Sequence, residues 1–463
     1  MTNILRPKKL DELGIKNEIP KTSKLINDIL KISLPAAAET FLVGLVGLMD
    51  TIMVGSLGKE AISSVSITQQ PVYITLTFCF GLTAGIIAIV SRRFGQNDRE
   101  GANKALRQTL VLGIIISSII TILSLVFGRA FIKLAGAKPD TIDNATAYFK
   151  IVSSVLILNY LRILILAGQR AAGYTKMTLI TNIIANATNI LFNYLLINGN
   201  FGFPRLEVRG AAYATIIGNI VAFLVAFASV YRSKRFVSIH FKENWRLDIE
   251  TIKSLYFVSL SAFIEQIFVR IGFFLIAVII NNLGTDAVAI NTITQNIVSL
   301  SFNIIDGFAI GAAALVGKSL GEDKADLSYA YGVLSQMICI GIGIFMMVII
   351  MIFRKPLSDI FTNDKMVVSQ AAKLLLFASI VVLPQSLQWV TTVMLRAAGD
   401  SKYTARGSMY SVMIIRPLLS YILCYPLSLG LYGAWAGMLI DQTFRLIHNE
   451  KRFLSLEWIK IRL

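Results

Sequence analysis

Twelve long apolar segments leave this chain little soluble surface to present. They run over 32–56, 62–90, 109–132, 146–168, 177–197, 211–230, 254–281, 286–316, 328–353, 367–395, 407–427 and 431–447. Most approach or exceed the ~18–20 residues that cross a bilayer as helix. The 463 residues are 55% hydrophobic and 15% charged, whereas a soluble domain carries about 25% charge. That balance excludes an ordinary soluble enzyme, a secreted disulfide scaffold and a disordered chain. Helices are expected because lipid offers the backbone no partners, and the runs lack the polar–apolar alternation of barrel strands.

The 44 Lys and Arg against 27 Asp and Glu give a net charge of +17. The basic residues fall in loops between apolar runs and have no aromatic platform beside them, so they read as topology signals and not as a nucleic-acid site. One set of loops holds most of them: the N-terminal tail, 91–108, 169–176, 231–253, 317–327, 396–406 and the C-terminus. Positive loops stay inside, which predicts two cytoplasmic termini. Cys79, Cys339 and Cys424 lie far apart inside apolar segments and read as inert buried thiols. No zinc-ligand spacing involves them or His240 and His448. The polar N-terminus lacks the apolar core of a cleavable signal.

The chain repeats itself at an offset of 226 residues. SLPAAAET at 33–40 meets SLSAFIEQ at 259–266, and LGKEAISSVSITQ at 57–69 meets LGTDAVAINTITQ at 283–295. Gly81 and Gly85 meet Gly307 and Gly311, and RAAGYTK at 170–176 meets RAAGDSK at 396–402. Six spans per half is an even number, so the halves are parallel repeats about an axis along the membrane normal. The expected fold is an all-α membrane protein of twelve transmembrane helices in two six-helix lobes related by a pseudo-two-fold axis. Its parts are a tail (1–31), an N-lobe (32–230), a cytoplasmic linker (231–253), a C-lobe (254–447) and a second tail (448–463). Transporters of this design bind substrate between the halves.

Ionisable side chains within spans are costly, at least about 2.5–3.5 kcal/mol each on insertion scales. Those here are Glu39, Asp50, Arg162, Glu265, Arg270, Asp306, Arg416 and Asp441. Asp50 has Ile276 as its repeat mate, so the fold itself needs no acid there, and a cation or proton site is the functional reading. Asn189 and Asn193 share one face of the fifth span at i and i+4, with Asn182 and Asn186 near the same stripe. Their mates, Ile415 and Leu419, are aliphatic. Amide oxygens and one carboxylate suit a hard monovalent cation or a proton; interhelical hydrogen bonding is the competing reading. Thr215 and Asn219 could add oxygens. Glu39 and Glu265 are repeat mates and suit an anionic cleft wall, and Arg416 suits neutralising an acid such as Asp306 or Glu265. No P-loop, HExxH or GxSxG motif occurs, so the chain carries no ATP motor of its own and no hydrolase signature.

Several of these segments resemble the multidrug and toxic compound extrusion (MATE) family: Leu34-Pro35, MDTIMVGSLG at 49–58, the two RAAGxxK motifs, the NxxxN pair before GAAYAT, RPLLSY at 416–421 and DQTFRLIHNEKRFLSLEW at 441–458. The resemblance covers about 32–458. It implies export of cationic, lipophilic compounds in exchange for sodium ions or protons, with no cofactor and no enzymatic activity. By position Asp50 matches the first-helix aspartate of an N-lobe cation site, Asn189 and Asn193 its fifth-helix polar pair and Thr215 a sixth-helix threonine. Asp50, Asn189 and Asn193 would hold the metal if sodium is the coupling ion. The NorM-like branch also has acids in helices 7 and 10. Here Glu265 sits one turn early, where Val269 aligns, and the tenth span offers only Gln385 and Gln388. That favours N-lobe coupling, as in the DinF-like branch, with Glu39, Glu265, Gln385 and Gln388 left to the substrate cleft.

The expected cycle is antiport: an incoming ion neutralises Asp50, which lowers the cost of closing the lobe around it and weakens its hold on a cationic drug. Expected partners are small organic cations and membrane lipids, with no nucleic acid, for a monomer in a bacterial or archaeal plasma membrane. The alternatives are a lipid-linked sugar flippase of the same superfamily and an ion channel; an intramembrane enzyme is weaker still.

Overall fold

The structure, a computed structural model, describes residues 10, 19–55, 59–135, 142–362 and 364–461, and does not describe the side chains of Asp50 and several neighbours within 48–66. Helices dominate. They are α1 (Thr22–Gly55), α2 (Lys59–Gly95), α3 (Arg99–Leu134), α4 (Ile142–Ser154), α5 (Leu156–Ala171), α6 (Thr175–Asn198), α7 (Glu207–Val230), α8 (Ile249–Asn281), α9 (Thr285–Gly321), α10 (Ala325–Asp359), α11 (Lys365–Ala397), α12 (Ser401–Tyr410), α13 (Arg416–Cys424) and α14 (Gly430–Ser455). Among the described residues there is no strand, only an isolated bridge between Tyr231 and Ile239.

Each of the twelve expected spans falls on one of these helices or on a pair. Ten are long and apolar enough to cross a membrane, and the bent pair α4–α5 makes an eleventh. The bend of 53° falls at Val155, directly after the Ser153-Ser154 pair. The Ser154 hydroxyl donates to the Ile151 carbonyl at 2.7 Å, the kind of side-chain competition that kinks helices. The twelfth span, α14, has the length, but Asp441, Arg445, Glu450, Lys451 and Arg452 leave it less apolar than those ten. It meets that charge internally: Asp441 pairs with Arg445 at 2.9 Å and accepts from Ser411 at 2.6 Å. Ser411 opens a π-turn (Ser411–Ile415) just before Arg416-Pro417. Proline lacks an N–H and crowds the preceding turn, so the helix widens there.

The helices form two compact units, 42–259 and 1–41 with 260–463. In the first, the core combines Ile86, Leu106, Tyr160 and Leu164 with Leu255 from the start of α8. In the second, Leu25 and Ile29 from the start of α1 are buried with Ile297, Leu334 and Leu375. The helix beginnings are thus exchanged between the repeats, and the two repeats do it at matching positions. In the first unit, a Cβ on Gly85 of α2 would overlap the Ser259 hydroxyl of α8. In the second, a Cβ on Gly311 of α9 would overlap the Ser33 hydroxyl of α1. Gly85 and Gly311 are repeat mates, and so are Ser33 and Ser259. Between helices in lipid, close approach of small residues replaces the hydrophobic drive. The glycines and serines of the repeat are therefore helix-crossing points.

Candidate functional site

Polar residues on α6 set the site in the first unit. Asn182, Asn189 and Asn193 are all buried. Asn193 Nδ2 donates to Asn189 Oδ1 at 3.2 Å, one turn away, which orients the Asn193 amide. Asn182 is occupied elsewhere. Its Oδ1 accepts from Arg162 at 3.0 Å, while Asn159 Oδ1 accepts from the same guanidinium at 2.9 Å. Two amide oxygens thus take up a cation inside a span. Helix α7 lies close against α6 because Gly218 leaves room; a Cβ there would come within 3.2 Å of the Asn189 Cβ and 3.3 Å of the Ala185 carbonyl. That approach brings Thr215, one turn earlier on α7, towards the α6 stripe.

Asn193 and Thr215 border one cavity of about 250 Å³. Its other walls include Gly47 of α1, Thr68, Gln69 and Tyr73 of α2, and Tyr148 of α4. The Thr215 hydroxyl donates to Ala211 O at 3.0 Å and Thr68 to Val65 O at 2.6 Å, so both hydrogens are committed to backbone and the oxygens present lone pairs. The volume lies below the ~300–1,000 Å³ of drug-sized pockets but is ample for an ion with several waters of ~30 Å³ each. Gly47 stands one helical turn before Asp50, whose side chain lies outside the described residues. Among the described residues no group of three His, Cys, Asp or Glu could hold a metal ion; the donors at this cavity are neutral oxygens, the set a hard monovalent cation takes when one carboxylate supplies the charge.

The second unit disposes of its charges in pairs. Glu265, 3% exposed, forms an ion pair with Arg396 at 2.6 Å. Asp306 accepts from Trp389 Nε1 at 2.8 Å, and the Arg396 guanidinium lies 5.6 Å from the Trp389 ring centre. Arg416 is buried 5.0 Å from the Phe273 ring centre, and the acid whose charge it faces is Asp441, where Glu265 or Asp306 was expected. Arg396, at the end of α11, approaches Glu265 from the repeated RAAG motif instead. Gln388 is buried and accepts from Thr392 at 3.1 Å, Gln385 is half-buried, and Glu39 is buried on α1.

Sequence reasoning did not single out Thr68, Gln69, Tyr73 or Tyr148. A signal existed for the first two: the repeated tripeptide ITQ, at 67–69 and 293–295, marks a position both halves keep polar. No comparable pattern flags the tyrosines, because an aromatic in an apolar run looks like any other core residue.

The MatE family model matches this chain twice, over residues 35–195 and 261–422, and the two matches begin 226 residues apart, the offset of the internal repeat. The chain belongs to the MatE family. Among its relatives are the probable multidrug resistance protein NorM of Thermotoga maritima, 27% identical over 96% of this chain and 95% of that protein, and the uncharacterized transporter YisQ of Bacillus subtilis, 25% identical over 96% and 97%. A multidrug resistance MATE family transporter solved in an outward-facing conformation superposes with a TM-score of 0.86 at 22% identity, covering 95% of this chain and all of that one. MatE proteins are transporters, and this member is a multi-pass membrane protein of the same all-helical fold.

Proposed function

We propose that this MatE protein exports cationic, lipophilic compounds in exchange for protons or sodium ions by alternating access. Support comes first from one observation: Asn193 and Thr215, two residues singled out from sequence as ion ligands, border a single cavity that also meets α1 one turn before Asp50. In this reading the ion binds Asp50, Asn193 and Thr215, with Asn189 orienting the Asn193 amide. Neutralising the carboxylate removes most of the penalty for enclosing it. It also removes the charge that holds an organic cation, so ion and drug compete and each release drives the other's binding. An ion carrying one charge inward gains about 2.3 kcal/mol per 100 mV.

Glu39, Gln385, Gln388 and the ion-paired Glu265 contribute to the substrate side. The protein works as a monomer in a bacterial or archaeal plasma membrane, needs no cofactor, catalyses no covalent step and keeps both termini in the cytoplasm. The deciding test is uptake of a fluorescent organic cation into everted vesicles, with the proton and sodium gradients collapsed separately. One collapse should abolish uptake, and Asp50→Asn should abolish it while inserting normally. Full uptake by Asp50→Asn would remove the ion site, and current without saturable exchange would replace the antiporter by a channel.

A further inference from the structure

We propose that the segment 231–248 is a docking surface for the headgroups of anionic phospholipids. The segment does not hang loose between α7 and α8. One face of α3 grips it. Arg99 donates to the carbonyls of Ser233 (3.1 Å), Arg235 (2.8 Å) and Phe236 (3.3 Å). Asn103 exchanges two hydrogen bonds with Ser238. Gln108 donates to Arg246 O at 2.8 Å and accepts from Asp248 N at 3.1 Å.

This grip sorts the charges of the segment. Both of its acids are consumed: Glu243 pairs with Arg107, and Asp248 with Lys104 at 3.0 Å. Its five other charged residues, Arg232, Lys234, Arg235, Lys242 and Arg246, are all basic and all exposed, and among the described residues none of them pairs with a carboxylate. The exposed charged residues of the segment are therefore all cationic although its sequence is mixed, and its two acids, partly exposed, are each neutralised by a cation of α3.

The apolar residues say which anion this surface meets. A run of aromatic contacts leaves the spanning helix α7 at Phe227, passes to Tyr231 (5.4 Å between ring centres) and Phe241 (5.9 Å), and ends at Trp245, 6.1 Å from Phe241. Phe241 is 63% exposed and Leu247 55%. An exposed ring joined by aromatic contacts to the end of a membrane helix belongs at the headgroup boundary, where aromatic belts form. Cations beside them attract anionic lipid, each strengthening attachment roughly fivefold. A soluble acidic partner would have no use for the greasy ring at the helix end.

The test uses the full chain in nanodiscs of phosphatidylcholine alone or with phosphatidylglycerol. Phosphatidylglycerol should raise the thermal midpoint, and the rise should shrink with salt. The variant Lys234→Gln/Arg235→Gln/Lys242→Gln/Arg246→Gln should match the parent in phosphatidylcholine and lose the rise. The control Lys133→Gln/Lys355→Gln/Lys365→Gln/Lys373→Gln, exposed lysines elsewhere, should keep it. No rise in the parent, an undiminished rise in the first variant, or equal loss in both variants overturns the proposal.

Discussion

Arg396 holds Glu265 at 2.6 Å on an interior face where 3% of the carboxylate side chain is exposed. Removing one partner of a buried pair strands the other charge, at about 3–5 kcal/mol. Arg396→Met is therefore expected to lower the thermal midpoint sharply, Glu265→Gln less because the stranded Arg396 is 13% exposed against 3% for Glu265, and the double substitution to recover much of the loss. A double mutant no better than Arg396→Met would mean that the pair is not coupled.

The exchanged helix starts predict asymmetric rescue. Gly85→Ala and Gly311→Ala should each destabilise by about 1–3 kcal/mol through overpacking. At Gly85 the obstacle is the Ser259 hydroxyl, the next atom being Leu255 O at 3.3 Å, so Ser259→Ala should restore most of the stability. At Gly311 the Ser33 Cβ and Cα also stand within 2.9 and 3.0 Å, so Ser33→Ala should restore little. Equal rescue at both sites, read by thermal melting, would contradict the packing.

At the cavity, Asn193→Ala removes a lining oxygen, whereas Asn189→Ala removes only the acceptor that orients it. A hydrogen bond of about 1–1.5 kcal/mol corresponds to roughly tenfold in affinity. The coupling-ion concentration for half-maximal uptake should rise about tenfold in Asn189→Ala and further in Asn193→Ala. The reverse order would place the ligand at Asn189.

Asp248 caps α8. Its hydrogen bonds from the Thr251 hydroxyl and amide, with Lys104 beside it, pull its carboxyl down to about 2. A depressed acid stabilises the fold above the ordinary carboxylate range, and that contribution is lost as pH falls towards its folded value. Asp248→Asn should melt below the parent at pH 6 and converge with it as the pH approaches 2. A constant gap across that interval would refute the cap.

Arg99→Ala should loosen the segment it grips, since three carbonyls lose a donor at once. Hydrogen–deuterium exchange should rise over 233–239 with little change in α11. Unchanged protection there would show that the aromatic contacts alone hold the segment.

How much of the fold and the site was legible in the sequence follows from what each signal depends on. Span positions depend on local composition, and each expected span does fall on a helix or helix pair. The 226-residue offset depends only on self-comparison, and the two family-model matches begin at the same spacing. The i, i+4 relation of Asn189 and Asn193 follows from helix geometry alone. The choice of partner for Glu265 was not legible: it lies 131 residues from Arg396 along the chain, and any basic residue of the half was a formal candidate. The bend at Val155 was likewise invisible to a hydropathy count.

The sequence by itself determined that this is a duplicated helical membrane protein and which few polar groups its interior must carry, because bilayer thickness and the cost of charge in lipid act on local composition. Only the tertiary structure decided that Ser33 meets Gly311 and Ser259 meets Gly85, that Asn193 and Thr215 share a cavity, and that Arg396 takes Glu265. Those outcomes depend on which helices approach closely enough to touch, and close approach is a property of two surfaces together.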